Sequence, residues 1–199
     1  MEKEILNLFL YNHRLKFNEI EKQTKSRSNI LAYHLNRLIR KNMIEKDDAF
    51  YKLSESSEKM IPHLTNKNSV ISVVLIAIKK EEKVFLIKRN KRPFDNKLCL
   101  PGGRLIVGET IPEATERIME EKFSLKCKFE KVNSINLEHV KKQGKILHSF
   151  FLVFVSATTK QELNYTSLAG KKSKIVSSDY YLIKNNLDKE TSVKNLITR

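Results

Sequence analysis

The sequence changes character near residue 65, and this change limits the folds that the chain can adopt. Up to His63 the apolar residues recur with helical spacing, whereas from Val70 onward runs of β-branched residues dominate. A short polar stretch at residues 62–69 lies between the two regions. We therefore predict one domain over residues 1–64 and a second over residues 70–199, joined by a linker at residues 65–69.

Charge and composition narrow the range of partners. The 199 residues include 38 Lys and Arg against 23 Asp and Glu, which gives a formal net charge of +15. Such an excess favours polyanionic partners such as nucleic acid or nucleotides. The most apolar run, at residues 70–78, is too short to cross a bilayer, which needs about 20 residues in a helix. The two cysteines, Cys99 and Cys127, lack metal-ligand spacing, and we expect no disulfide framework. We therefore expect a cytoplasmic protein, and the short apolar run predicts no membrane partner.

The first sixty residues predict three helices followed by a β-hairpin. Ile5, Leu6 and Phe9 are spaced as one face of a first helix, and a second helix fits residues 17–24. A third helix begins near Ser28, an acceptable N-cap, and runs to about residue 42. Two short strands are then predicted around a tight turn, at residues 44–46 and 50–53. This order, with the string SNILAYHLNRL at residues 28–38, resembles bacterial and archaeal winged-helix repressors.

That resemblance implies an α+β winged helix–turn–helix domain whose third helix enters the major groove of double-stranded DNA. The candidate contacts to bases or phosphates lie on the polar side of this helix and at its two ends. They are Arg27, Asn29, Tyr33, Asn36, Arg37, Arg40 and Lys41. A homodimer is expected with this function, because winged helices usually read two half-sites. The alternative is that the same polar side belongs to a protein-interaction module, since residues 1–69 carry a net charge of only +4.

From residue 70 onward the sequence predicts an α/β domain. Strands are predicted at residues 70–78, 84–88, 98–100, 129–136, 146–155 and 180–183. After the third of these strands, Pro101, Gly102 and Gly103 lead through a short loop to Glu109. A helix is predicted over residues 111–123, because Pro112 and Glu113 fall in its first turn, where both are favoured.

The loop and helix resemble the signature of the Nudix family, which is Gly, five residues, Glu, seven residues, then Arg-Glu-aliphatic-x-Glu-Glu-x-Gly-aliphatic. Gly103 and Glu109 have the required separation, and Arg117 follows Glu109 at the expected distance. Glu121 holds the first of the paired glutamate positions, and Leu125 holds the last aliphatic position. The resemblance implies an α/β/α sandwich with a mixed sheet. It also implies an ancestral activity, the magnesium-dependent hydrolysis of a nucleoside diphosphate linked to another group.

Three positions depart from this signature. Ile118 and Lys122 replace two of the three glutamates that the signature has after Arg117, and Ser124 replaces the second glycine of the signature. Positions 118, 121 and 122 lie within one helical turn, so three carboxylates there would form one metal-binding face. Only Glu121 remains on that face, as a residual catalytic residue and metal ligand together with the Gly102 carbonyl. We therefore expect magnesium to bind weakly if it binds at all.

The same residues suggest a different use of the site. Lysine and arginine side chains can contact phosphate oxygens directly, so a site without metal can still bind a nucleoside-diphosphate-type ligand. Candidate ligand contacts surround the motif and are Arg89, Arg92, Gly103, Arg104 and Lys122. Gly102, Glu109 and Arg117 are interpreted as structural, with the Glu109–Arg117 pair bracing the loop against the helix.

Three functions remain open at this point, of which the last is a non-enzymatic interaction module that neither binds DNA specifically nor senses a nucleotide. The first is a ligand-responsive transcriptional regulator, in which the winged helix binds DNA and the Nudix-like domain binds the ligand with little or no hydrolysis. Such a sensor requires no cofactor. The alternative is a magnesium-dependent Nudix hydrolase with an accessory winged helix, which needs ligands from outside the signature to complete its metal site.

Overall fold

The computed structural model describes residues 1–58, 69–91 and 93–198. Two compact units are present, Met1–Ser69 and Val70–Arg199, and each is described by itself. Arg92 and most of the predicted linker, residues 65–68, lie outside the described residues. Among the helices that are described, none combines the length and the apolar character needed to span a bilayer.

The N-terminal unit packs helices against a small antiparallel sheet. Its elements are α1 (Glu2–Leu8), β1 (Arg14–Lys16), α2 (Phe17–Thr24), α3 (Ser28–Arg40), β2 (Ile44–Asp47), β3 (Phe50–Leu53) and α4 (Glu55–Glu58). The strand order is β1-β3-β2, so a strand that the sequence did not predict, β1, pairs with one arm of the hairpin. Leu31, Leu35 and Leu38 of α3 are fully buried, because they recur on one face of the helix. Ser28 is the first helical residue, and the cap position is held by Arg27.

The C-terminal unit is built on a mixed four-stranded sheet of order β10-β11-β4-β9, in which only the β11–β4 pair is parallel. Its strands are β4 (Ile71–Ala77), β5 (Lys79–Lys80), β6 (Lys83–Phe85), β7 (Ile87–Lys88), β8 (Leu98–Cys99), β9 (Gly102–Arg104), β10 (Lys128–Lys142), β11 (Lys145–Thr158) and β12 (Tyr165–Ser167). The helices are α5 (Ile111–Phe123) and α6 (Ser177–Asn186), with a 3₁₀ turn at Lys172–Lys174. The α/β fold with a mixed sheet is therefore confirmed.

The two faces of this sheet carry different helices. Ile118 and Met119 of α5 pack with Val74 on one face, and Leu182 and Ile183 of α6 pack in a second cluster that includes Leu152 and Phe154. The strand predicted at residues 180–183 is wrong, because these residues lie within α6. The buried residues of α6 are spaced as a helical stripe: Asp179, Leu182, Ile183 and Asn186.

A buried amide ties the end of α6 to the edge of the sheet. Asn133 of β10 is fully buried, and its Nδ2 donates to the carbonyls of Leu187 and Lys189, the latter at 3.2 Å. Its Oδ1 accepts from the hydroxyl of Ser156 at 2.9 Å. Beyond the helix, the backbone N–H of Thr191 donates to the carbonyl of Val132 at 2.8 Å. Residues 187–191, which follow α6, are thus tied to β10.

Candidate functional site

Two glycines bring β9 close to its neighbours at the start of the site. A Cβ on Gly102 would lie 2.7 Å from the carbonyl oxygen of Val74, and a Cβ on Gly103 would lie 2.8 Å from both Ile118 Cγ1 and Lys122 Nζ. Real Cβ atoms do not approach other atoms so closely. Both positions therefore require glycine, and the close approach sets the backbone of β9 directly beside α5.

An ion pair fixes the loop between β9 and α5. Arg117 Nε donates to Glu109 Oε2 at 2.7 Å and Arg117 Nη2 donates to Glu109 Oε1 at 2.7 Å. The same guanidinium donates to the carbonyl of Arg104 at 3.0 Å and to Glu121 Oε2 at 3.2 Å. The hydrogen bonds from Arg117 are the largest cause of the lowered pKa of Glu109, so this carboxylate is charged at neutral pH.

Lys122 contacts the backbone of β9. Its ammonium donates to the carbonyl oxygen of Gly102 at 2.8 Å. Desolvation of the ammonium beside β9 lowers the pKa of Lys122, although the residue as a whole is exposed, and the neighbouring charges of Lys91 and Arg117 lower it further. An ammonium can donate three hydrogen bonds, and the described residues accept one of them.

The residues on this face do not fit a divalent cation. The Gly102 carbonyl is a predicted metal ligand, but it already accepts a hydrogen bond from the Lys122 ammonium. A divalent cation at that oxygen would be repelled by the charge of Lys122. Ile118 is 0% exposed and belongs to the apolar core. Glu121 is paired with Arg117. Within the described part of the chain, no group of three or more His, Cys, Asp or Glu side chains is placed to hold a metal ion.

Two further predicted ligand contacts, Arg89 and Arg104, lie after β7 and on β9 respectively. Arg89 Nε donates to the carbonyls of Lys91 at 3.0 Å and Pro93 at 2.5 Å, so Arg89 also shapes the loop after β7. Arg104 is exposed on β9. The positive charges of Lys91, Arg117 and Arg89 all lower the pKa of Lys122, against the raising effect of the Glu121 carboxylate.

A cavity of about 120 Å³ lies on the α6 side of the sheet. Its lining includes Arg89, Phe94, Glu138 and Asp179. Asp179 is 5% exposed and accepts the backbone N–H of Leu100 at 2.7 Å, two residues before Gly102. Burial, together with the charge of Glu138, raises the pKa of Asp179 to about 7 against the lowering effects of that N–H and of Arg89. Sequence reasoning missed Asp179, although the helical spacing of residues 179, 182, 183 and 186 would have revealed its inward orientation.

Comparison with known proteins decides the family of the chain. The NUDIX domain family model matches residues 68–176, which is more than half of the chain. The chain belongs to the Nudix family. The loop and helix described above are therefore its Nudix signature, with substitutions at positions 118, 122 and 124.

Curated Nudix relatives match over short segments. The chain is 32% identical over 80 residues to human 8-oxo-dGDP phosphatase NUDT18, which covers 40% of this chain and 25% of the relative. It is 44% identical over 48 residues to ADP-ribose pyrophosphatase of Methanocaldococcus jannaschii, which covers 24% of this chain and 28% of the relative. The matches thus span only about a quarter of the length of these relatives. Among solved structures, a UDP-X diphosphatase aligns with a TM-score of 0.47 at 15% identity, covering 92% of this chain and 88% of that one.

Outside the Nudix domain, the predicted DNA contacts of the N-terminal unit are all exposed. Tyr33, Asn36, Arg37 and Arg40 of α3 line a cavity of about 360 Å³. Glu2 of α1 forms ion pairs with two of the predicted contacts, since its carboxylate lies 3.0 Å from Arg37 Nε and accepts a hydrogen bond from Lys41 Nζ at 2.6 Å. These two cations are therefore partly neutralised, whereas the structure gives no acidic partner for Arg40 among the described residues.

Proposed function

We propose that the Nudix domain binds nucleoside diphosphate derivatives. Lys122 carries this proposal, because its ammonium donates to the Gly102 carbonyl and the positive charges of Lys91, Arg117 and Arg89 act on it. A predominance of cations suits the two charges of a diphosphate. The names of both curated relatives support the ligand class, since 8-oxo-dGDP and ADP-ribose each contain a diphosphate attached to a nucleoside.

Of the functions left open by the sequence, the comparisons favour the Nudix hydrolase over the DNA-binding regulator. The family match covers the domain with the signature, and both relatives are named as enzymes that cleave phosphate compounds. The substitutions of Ile118 and Lys122 nevertheless remove two carboxylates from the helix. We therefore propose that hydrolysis by this domain is slow, and that binding is its stronger property.

Titration calorimetry with ADP-ribose tests this function on the full chain. We expect a dissociation constant in the micromolar range. We also expect turnover of ADP-ribose well below about 1 per second with magnesium present, measured by product release. No heat of binding at millimolar ADP-ribose and ADP would contradict the binding proposal. Turnover in the ordinary enzyme range would instead show that the two substitutions do not disable catalysis.

A second function is proposed for the N-terminal unit, which is that of a winged helix that binds double-stranded DNA as a homodimer. The order of α1, β1, α2, α3, β2 and β3 supports this proposal, as does the exposed polar side of α3. The hairpin argues for a small contribution from the wing, because Lys52 lies 3.4 Å from Asp47 and 3.8 Å from Glu45.

Substitution on α3 tests DNA binding. We expect the double substitution Arg37→Ala and Arg40→Ala to abolish binding to duplex DNA at low salt, because these cations lie on the side that would face the phosphates. Fluorescence anisotropy with a labelled duplex measures the effect. The matched control is Lys83→Ala with Lys128→Ala, two exposed lysines of the other unit. Equal binding by the α3 double variant and the wild type would remove α3 from the interface.

A further inference from the structure

We propose that the ammonium of Lys122 replaces a divalent cation in the phosphate site, so that the diphosphate is bound without metal. This inference rests on the proposed ligand binding and extends it to the way in which the ligand charge is neutralised. It is derived from four contacts around one turn of α5.

The first observation is the position of the ammonium. Lys122 Nζ lies 2.8 Å from the carbonyl oxygen of Gly102, and a neutral backbone oxygen of this kind is an ordinary ligand for a hard cation. Gly103 makes room for the ammonium, since a Cβ there would lie 2.8 Å from Lys122 Nζ. The lysine is thus seated in a space that the backbone leaves open for it.

The second observation concerns the side chains that would otherwise bind metal. Position 118 carries an isoleucine that is fully buried against the sheet, so this side of the turn offers no oxygen ligand. Glu121 is held by Arg117, which also binds both oxygens of Glu109. The one remaining carboxylate of the face therefore already has a cationic partner.

The third observation is the balance of charge. The charges that act on Lys122 come from three cations, Lys91, Arg117 and Arg89, and from one carboxylate, Glu121. A diphosphate that joins two groups carries two negative charges, so a site in which cations predominate favours it without an added ion. The N–H groups that Lys122 does not use on Gly102 are available to donate to phosphate oxygens.

Calorimetry of the full chain with ADP-ribose, in excess EDTA and in millimolar magnesium chloride, tests the inference. We expect the two dissociation constants to agree within about threefold. Lys122→Ala should weaken binding in EDTA by about 10-fold to 100-fold, because a hydrogen bond from a charged donor is lost. Lys128→Ala, which removes an exposed lysine from β10, is the matched control and should bind as the wild type does.

The outcomes separate the two proposals. Binding in magnesium that disappears in EDTA would overturn the metal-free site and leave the proposed ligand class intact. Wild-type affinity of Lys122→Ala in EDTA, with a thermal melt showing that the variant is folded, would also overturn it. Absence of binding in both buffers would contradict the proposed function itself.

Discussion

Restoring the two missing carboxylates, as Ile118→Glu with Lys122→Glu, is expected to make the stability of the protein depend on magnesium. Ile118 is fully buried, so in EDTA the new carboxylate should destabilise the fold by about 3–5 kcal/mol, as an unpaired buried charge does. The substitutions place carboxylates at positions 118, 121 and 122, within one helical turn, and remove the ammonium from the Gly102 carbonyl. Magnesium should therefore bind the variant and recover much of the lost stability.

Thermal unfolding of this variant with and without millimolar magnesium measures the effect. Ile118→Glu alone is the control, since it keeps Lys122 beside the new carboxylate and should gain less from the ion. A melting temperature of the double variant that does not respond to magnesium would show that the missing carboxylates are not what limits metal binding. The melting temperature of the wild type should be the same with and without magnesium.

Asp179→Asn is expected to remove a large pH dependence of stability. The pKa of Asp179 is raised from its ordinary value of 3.8 to about 7 in the folded protein, so the unfolded chain releases this proton at lower pH than the folded one does. The unfolded state consequently binds fewer protons between about pH 4 and pH 7, and the free energy of unfolding falls as the pH rises through that range. From about pH 5 to pH 8 the loss for the wild type should be about 3 kcal/mol relative to the variant.

Urea denaturation at the two pH values measures this difference. The asparagine can keep the acceptor for the Leu100 N–H, which is 2.7 Å from Asp179 Oδ2, so the variant should fold and should be the more stable protein at the higher pH. Asp188→Asn, at an exposed position, is the control and should follow the wild-type pH profile. The same profile in Asp179→Asn would assign the pH dependence to another group.

Local sequence signals were sufficient to predict the elements whose ends are set by their own residues. Helix α5 spans residues 111–123 as predicted, because Thr110 and Glu113 form a capping box and Pro112 lies in the first turn. The backbone at position 124 explains why the signature has a glycine there. Ser124 follows the helix with a φ of 52°, in the left-handed conformation that favours glycine.

The parts that could not be predicted depend on contacts between distant residues. Lys122 and Gly102 are separated by 20 positions, so nothing in the spacing of the signature shows that one donates to the other. Strand β1 is only three residues long and exists because it pairs with β3. Residues 180–183 were predicted as a strand because their aromatic and branched side chains favour one, and the packing of α6 on the sheet overrode that preference.

The buried amide of Asn133 has a consequence for where this domain ends. The family match stops at residue 176, immediately before α6, yet Leu182 and Ile183 complete one of the two cores. The acceptors of the Asn133 amide come later still, at Leu187 and Lys189. The family match therefore ends before the packed domain does. A truncation after residue 176 would remove α6 from the core and would remove the acceptors of the buried Asn133 amide.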